Sequence, residues 1–308
     1  MPVYLFQHSR ICSSESSFII LTLFAFVNQI FRAAEIFADT FTLAKQIAFW
    51  YNVKSMLQEG GRFSLPRFFV PPGSVQGGFL TLSGENAAHA RVLRLKTGDS
   101  VAVCDGSGTD YTCTVSDVAP GCVSLVVNAS GASQSEPAVR CSVFMAFSKA
   151  DKFEHVIQKA TELGAVKIVA FPSARCVSRP DKVSLGKKLE RWQKIAASAA
   201  GQCGRGVIPQ VLAADSYEQA LSWAAQSALV LFPYENEKAL SLRAALSGND
   251  APSVSIVTGP EGGFTPEEVA LAQEKGLRIC TLGPRILRCE TAPLCALTCV
   301  LFANGALD

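Results

Sequence analysis

From residue 139 onward, the apolar positions follow two alternating rhythms. Short, mostly apolar runs at 139–147, 166–171, 228–233, 254–257 and 277–282 predict buried strands, and 207–211 predicts a strand or an extended segment. Between them the period lengthens, predicting helices over 149–163, 185–200, 217–226, 238–246 and 265–275, with a last helix after residue 288. In the first, Phe153, Val156, Ile157, Ala160 and Leu163 fall on one face and Gly164 ends the pattern. Strands alternating with helices predict a largely parallel sheet covered on both sides.

Residues 65–129 have a different texture. Runs at 67–70, 79–82, 100–105, 109–115 and 122–127 are separated by Pro71-Pro72-Gly73, Gly77-Gly78, Gly106-Ser-Gly108 and Pro120-Gly121. Tyr111, Cys113 and Val115 alternate with threonines, as in a half-buried strand. One helical piece, 85–95, sets His89, Arg91, Arg94 and Lys96 beside Val92 and Leu93. The expectation is a small β-barrel carrying a basic helix, suited either to gripping RNA or simply to stabilising the chain. The polar stretch 129–137 reads as a linker, giving an α/β protein of two domains, 65–130 and 138–308.

Two loops interrupt the last strands. Residues 258–263 hold a proline and two adjacent glycines after an apolar run, and Thr265-Pro-Glu-Glu268 then forms a capping box that opens a helix. The second run ends at Gly283-Pro284, followed by Arg285-Ile-Leu-Arg288. Both loops lie at the C-terminal ends of strands, where open α/β sheets place ligands. The first lacks the Lys-Ser/Thr of a phosphate loop, and Glu261, Glu267 and Glu268 occupy the positive end of the helix. It suits a neutral or cationic ligand held by backbone groups; a purely structural turn fits the same residues.

At 308 residues the chain has room for two cores. The net charge of +2 hides an asymmetry: twelve Lys/Arg against five Asp/Glu over 149–205, then four against nine over 206–284. A basic block of this kind faces a polyanion or simply solvent. The eleven cysteines show neither C-x-x-C pairing nor a histidine cluster, so no metal site or disulfide framework is expected, and a reducing compartment is. Three histidines (His8, His89, His155) supply no hydrolytic triad, which leaves Arg175, Arg205, Arg285 and Arg288, close to the loops, as candidate anion donors. Residues 1–55 differ in character. Their apolar stretch 18–31 is interrupted by Asn28 and Gln29, and the expectation is a non-native extension ahead of a start at Met56.

Several ordered motifs carry a resemblance: Lys149-Ala-Asp-Lys152, Ile157-Gln-Lys-Ala-Thr-Glu-Leu-Gly164, Lys188-Leu-Glu-Arg-Trp-Gln-Lys-Ile195, Gly204-Arg205, Gly259-Pro-Glu-Gly-Gly263, and Leu282-Gly-Pro-Arg-Ile-Leu-Arg288 with Glu290-Thr-Ala292. With Arg67-Phe-Phe-Val70 and Val92-Leu-Arg-Leu-Lys96-Thr-Gly-Asp99, the chain from Pro66 to Asn304 resembles the RsmE family, bacterial 16S ribosomal RNA methyltransferases that make N3-methyluridine near the decoding centre. The resemblance implies a PUA-like RNA-binding barrel and a SPOUT domain with a C-terminal trefoil knot, acting as a cytoplasmic homodimer on 16S rRNA of the small subunit, without a membrane. It implies S-adenosylmethionine as cofactor, held by Thr258, Gly259, Pro260, Glu261, Gly262 and Gly263, by Leu282, Gly283, Arg285, Ile286, Leu287 and Arg288, and by Leu231, Phe232 and Pro233 at the end of the preceding strand. Arg205 is expected to face the substrate as the catalytic donor. RNA phosphates are expected at Arg67, Arg91, Arg94, Lys96, Lys149, Lys152, Arg175 and Arg191. Departures from the family pattern stand at Ala150, Ala174, Gly201, Cys203 and Cys289; Ala174 and Gly201 replace carboxylates, so no general base is assigned at either of these two. The rival readings are an RNA-binding module without transfer activity and a nucleotide-dependent enzyme.

Overall fold

The structure is a computed structural model that describes residues 65–248 and 250–307; the expected 1–55 extension lies outside them. The first sheet contains β1 (Arg67–Phe69), β2 (Phe79–Ser83), β3 (Ser100–Cys104), β4 (Thr109–Ala119) and β5 (Cys122–Ala132), in the order β1-β3-β4-β5-β2. β1 runs parallel to β3, and the remaining ladders are antiparallel. Period-two alternation turns Leu80 and Leu82 inward, onto Phe68, Val101, Val103, Val115 and Leu125, while Phe79, Thr81 and Ser83 face out. Helix α1 (Gly84–Val92) packs on β2 and β5.

Two expectations need correction here. The sheet is a half-barrel, since no ladder joins edge strands β1 and β2 among the described residues. β1 is short, and beyond Val70 the residues Pro71 and Pro72 carry no N–H with which to continue a ladder. β5 also continues through Ala132, into the stretch read as linker, because Thr109 and Asp110 pair with Ala132 and Gly131. A ladder needs backbone groups only, so exposed polar residues extend it without an apolar signal.

The second sheet comprises β6 (Arg140–Ala146), β7 (Lys167–Phe171), β8 (Gln210–Ala213), β9 (Leu229–Pro233), β10 (Ser253–Thr258) and β11 (Arg278–Cys280), in the order β11-β9-β10-β6-β7-β8. Every ladder in it is parallel. The helices are α2 (Ala150–Leu163), α3 (Lys182–Cys203), α4 (Tyr217–Ala224), α5 (Leu242–Leu246), α6 (Pro266–Glu274) and α7 (Thr291–Ala303). Along β6, Cys141, Val143 and Met145 enter the core beneath α2, α3, α5 and α7, whereas Phe144 and Ala146 enter the core beneath α4 and α6. Burial on both faces explains the mostly apolar runs.

Chain order reverses beside β6. β7 and β8 extend the sheet in one direction; β9 then lies on the other side, with β10 inserted between it and β6. Crevices at such a reversal, outside the C-terminal strand ends, are where open sheets bind ligands. Among the described residues, no helix is long and apolar enough to cross a membrane.

Candidate active site

A cavity of about 490 Å³ opens at the C-terminal ends of β9, β10 and β11. Pro233, Tyr234 and Glu235 follow or end β9, Thr258 through Phe264 follow β10, and Thr281 through Cys289 follow β11; Lys152 and Ala292 complete the wall.

The first loop fits a space with little room for side chains. A Cβ at Gly259 would meet the Phe264 ring at 3.2 Å, and one at Gly262 would meet Arg175 Cβ at 3.0 Å. At Gly263 the backbone is left-handed (φ +67°), and a Cβ would sit 2.5 Å from the Glu235 carboxylate. Arg175 Nη1 also donates to Gly262 O at 3.1 Å. Phe264 is buried against Phe232, with ring centroids 4.4 Å apart, anchoring the far end of the loop.

Helix α6 begins at once. Thr265 Oγ1 accepts from Glu268 N, and Glu268 Oε2 accepts from Thr265 N at 2.9 Å, completing the predicted capping box. The other oxygen of Glu268 accepts from Ala174 N at 2.8 Å, so this carboxylate also fastens the 172–179 loop. The second cavity loop is fixed at its start, where Thr281 N donates to Leu240 O and Leu242 N to Thr281 O. Its tip is open to solvent, with Ile286 86% exposed.

One ammonium joins the two loops. Lys152 Nζ lies 3.5 Å from Glu261 Oε1 and 3.4 Å from Glu290 Oε2, with Cys289 Sγ at 3.7 Å. Lys149 N donates to Glu261 at 3.2 Å. Burial opposes ionisation of Glu261, but backbone N–H donors and the Lys152 charge outweigh it and hold the carboxyl below its ordinary range. Glu290 is lowered in the same way, against burial, by its own backbone, the Cys289 thiol and Lys152. Burial, then the bond to Glu290, push the Cys289 thiol up to about 12, which disfavours the nucleophilic thiolate. Arg285 and Arg288 line the cavity and form no ion pair among the described residues.

The structure gathers Thr258 to Gly263, Leu282, Gly283 and Arg285 to Arg288 around this cavity. Leu231 and Phe232 are fully buried in β9, facing opposite cores, and do not line the cavity, whereas Pro233 at the end of the same segment does, followed by Tyr234 and Glu235. Tyr234, Glu235 and Phe264 were missed by sequence reasoning; the end of a buried strand at a sheet reversal was the available signal for the first two.

Arg205 also departs from expectation. It is 2% exposed and absent from the cavity wall. Its Nε and Nη2 donate to Glu136, and its Nη1 donates to Thr161 O and Ala165 O. Glu136 accepts in addition from Gly206 N and Val207 N, so the guanidinium is held inside the seam behind α3, away from the cavity wall. Arg67 is drawn to the same seam, paired with Asp110 at 3.0 Å and donating to Arg205 O. Arg191 pairs with Glu154 at 2.8 Å on the surface. Arg91, Arg94 and Lys96 are exposed together around the end of α1, without an ion pair among the described residues.

The comparisons agree with this arrangement. Residues 135–301 match the RNA methyltransferase domain family, and residues 82–127 match the RNA methyltransferase PUA domain family. The chain is 36% identical over 233 residues to the ribosomal RNA small subunit methyltransferase E of Bacillus subtilis, spanning 74% of this chain and 91% of that protein. Identity to the Synechocystis protein of the same name is 34% over 234 residues, 75% of each chain. The structure of the Neisseria gonorrhoeae ribosomal RNA small subunit methyltransferase E bound to S-adenosyl methionine superposes with a TM-score of 0.66 at 27% identity, covering 77% of this chain and 97% of that one. With this extent of matching on both the cavity-bearing sheet and the half-barrel, the chain belongs to the ribosomal RNA small subunit methyltransferase E family.

Proposed function

We propose that this protein methylates N3 of a uridine in 16S ribosomal RNA, near the decoding centre of the small subunit, with S-adenosylmethionine as methyl donor. The observation that carries the reading is the cavity at the ends of β9 to β11, in a chain of this family. Its residues fit the donor. A nucleoside sulfonium is cationic and has no phosphate, and the cavity supplies carboxylates at Glu235 and Glu261 and apolar surface at Pro233, Phe264, Leu282 and Leu287. The acidic start of α6, with Glu267 and Glu268 in its first turn, disfavours an anion in the same place.

When bound, the cofactor supplies an electrophilic methyl group; the protein positions the acceptor and manages charge. The backbone of the glycine turn would hold the donor, with Thr258 and the second loop supplying the rest of the wall, and a donor held in one pose lowers the entropic cost of the transfer. N3 of uridine must give up its proton, to water or a base, ahead of the transfer; the electron pair left behind spreads negative charge to the uracil oxygens until it bonds the methyl carbon as the carbon–sulfur bond breaks. Arg285 and Arg288, the unpaired cations of the wall, are placed to stabilise that charge or the neighbouring phosphates. Arg205 has no part in this scheme, because its donors are already taken.

The half-barrel is the RNA-gripping domain (65–130) and the parallel sheet belongs to a SPOUT domain (138–308) with a trefoil knot at its C-terminal end. The active unit is a cytoplasmic homodimer, a reading supported by the exposed apolar side chains of Ile286 beside the cavity and Phe302 on α7. Cells lacking the gene should have small-subunit rRNA devoid of N3-methyluridine by mass spectrometry, restored on complementation. Persistence of the nucleoside would overturn the substrate assignment.

A further inference from the structure

We propose that Lys152 is a positioning residue that clamps the two cavity loops together, and is not a ligand of RNA phosphate; the reading rests on the cavity being the S-adenosylmethionine site. Lys152 stands in the first turn of α2, and its ammonium is shared between Glu261 of the first loop and Glu290, the N-cap residue of α7 directly after the second loop. All three side chains retain only a fifth to a quarter of their exposure (22%, 23% and 20%), so solvent screens them incompletely. Lys149 N adds a backbone bond to Glu261, which fixes the start of α2 against the same loop. Three segments distant in sequence thus meet at one charge.

Charge decides between the two roles. Two carboxylates around one ammonium leave the cluster net negative, which repels a phosphate. Without the ammonium, the two carboxylates, at most about 7 Å apart, would repel one another across the cavity mouth and push the loops apart. The cavity wall includes both loops, so its shape depends on their staying together.

The test uses the full-length protein, with Lys152→Met, Lys152→Arg and Glu290→Gln compared with wild type. Calorimetry should show S-adenosylmethionine affinity weakened by about tenfold or more in K152M and largely kept in K152R, with E290Q between. Affinity for a 16S rRNA fragment, by gel shift, should be unchanged. Without any ligand, amide hydrogen exchange over 259–263 and 283–290 should rise in K152M while the rest of the sheet stays protected. A K152M protein with unaltered loop protection sinks the clamp, and weakened RNA binding with unaltered protection makes Lys152 a phosphate ligand instead. Wild-type protein that binds no S-adenosylmethionine would refute the assigned cofactor, and the exchange comparison would still decide the clamp.

Discussion

Gly262 illustrates how a single position couples the turn to its surroundings. Its missing side chain leaves 3.0 Å between a would-be Cβ and Arg175, which also donates to the Gly262 carbonyl. Gly262→Val must therefore displace Arg175 and the loop together, and we expect loss of S-adenosylmethionine binding by calorimetry with the half-barrel still folded by circular dichroism. Undiminished affinity would make the turn merely structural. The glycine turn was legible in the sequence because adjacent glycines and a proline can be neither strand nor helix interior. The role of Arg205 was not, because its partner Glu136 lies 69 residues earlier in a stretch of loop composition, and no local pattern links the two. The segment Leu231–Pro233 reaches the cavity only at Pro233, because a motif marks the end of a strand but burial decides which residue leaves the core.

At the scale of elements, α6 is the best-specified piece. Thr265, Pro266 and Glu268 announce its start, and the structure adds a second duty for Glu268, the bond to Ala174. Thr265→Ala removes one cap and should cost about 1 kcal/mol in urea unfolding. Glu268→Ala strips both the capping box and the 172–179 loop of a partner, so it should cost roughly twice that. Equal costs would mean the bond to Ala174 contributes nothing. Elsewhere, strands and helices were predictable in order and type, and their ends less so. α1 stops at Val92 because Arg94 adopts a left-handed conformation (φ 57°), although the helical pattern runs on to residue 95. β5 continues past its apolar signal because β4 offers it a ladder.

For the whole molecule, two properties follow from charge and from the seam. Arg205→Met would leave Glu136 without its cation in a largely buried site, and we expect about 3 kcal/mol of destabilisation in urea. Unchanged stability with lost methylation would return Arg205 to the substrate. RNA binding should fall with added salt, and neutralising Arg91, Arg94 and Lys96 in turn should reduce the log–log slope by about one for each phosphate contact removed. An unaltered slope would move the RNA surface away from α1. The parallel sheet and its separation from a mostly antiparallel one were readable from the change in hydrophobic rhythm, but the half-barrel's open edge was not, since it depends on which strands fail to pair.

The insertion of β10 between β9 and β6 has a consequence for synthesis. Arg140 pairs with Ser253, so the middle of the sheet joins segments made far apart in time. Until residue 258 has emerged, β6 and β9 each present an unpaired edge, and slow long-range closure leaves the growing chain open to aggregation. The same late strand carries the glycine turn, and the second cavity loop follows it later still. A chain that ends before residue 258 therefore lacks both cavity loops, and binding in the cavity itself reports that the fold is finished.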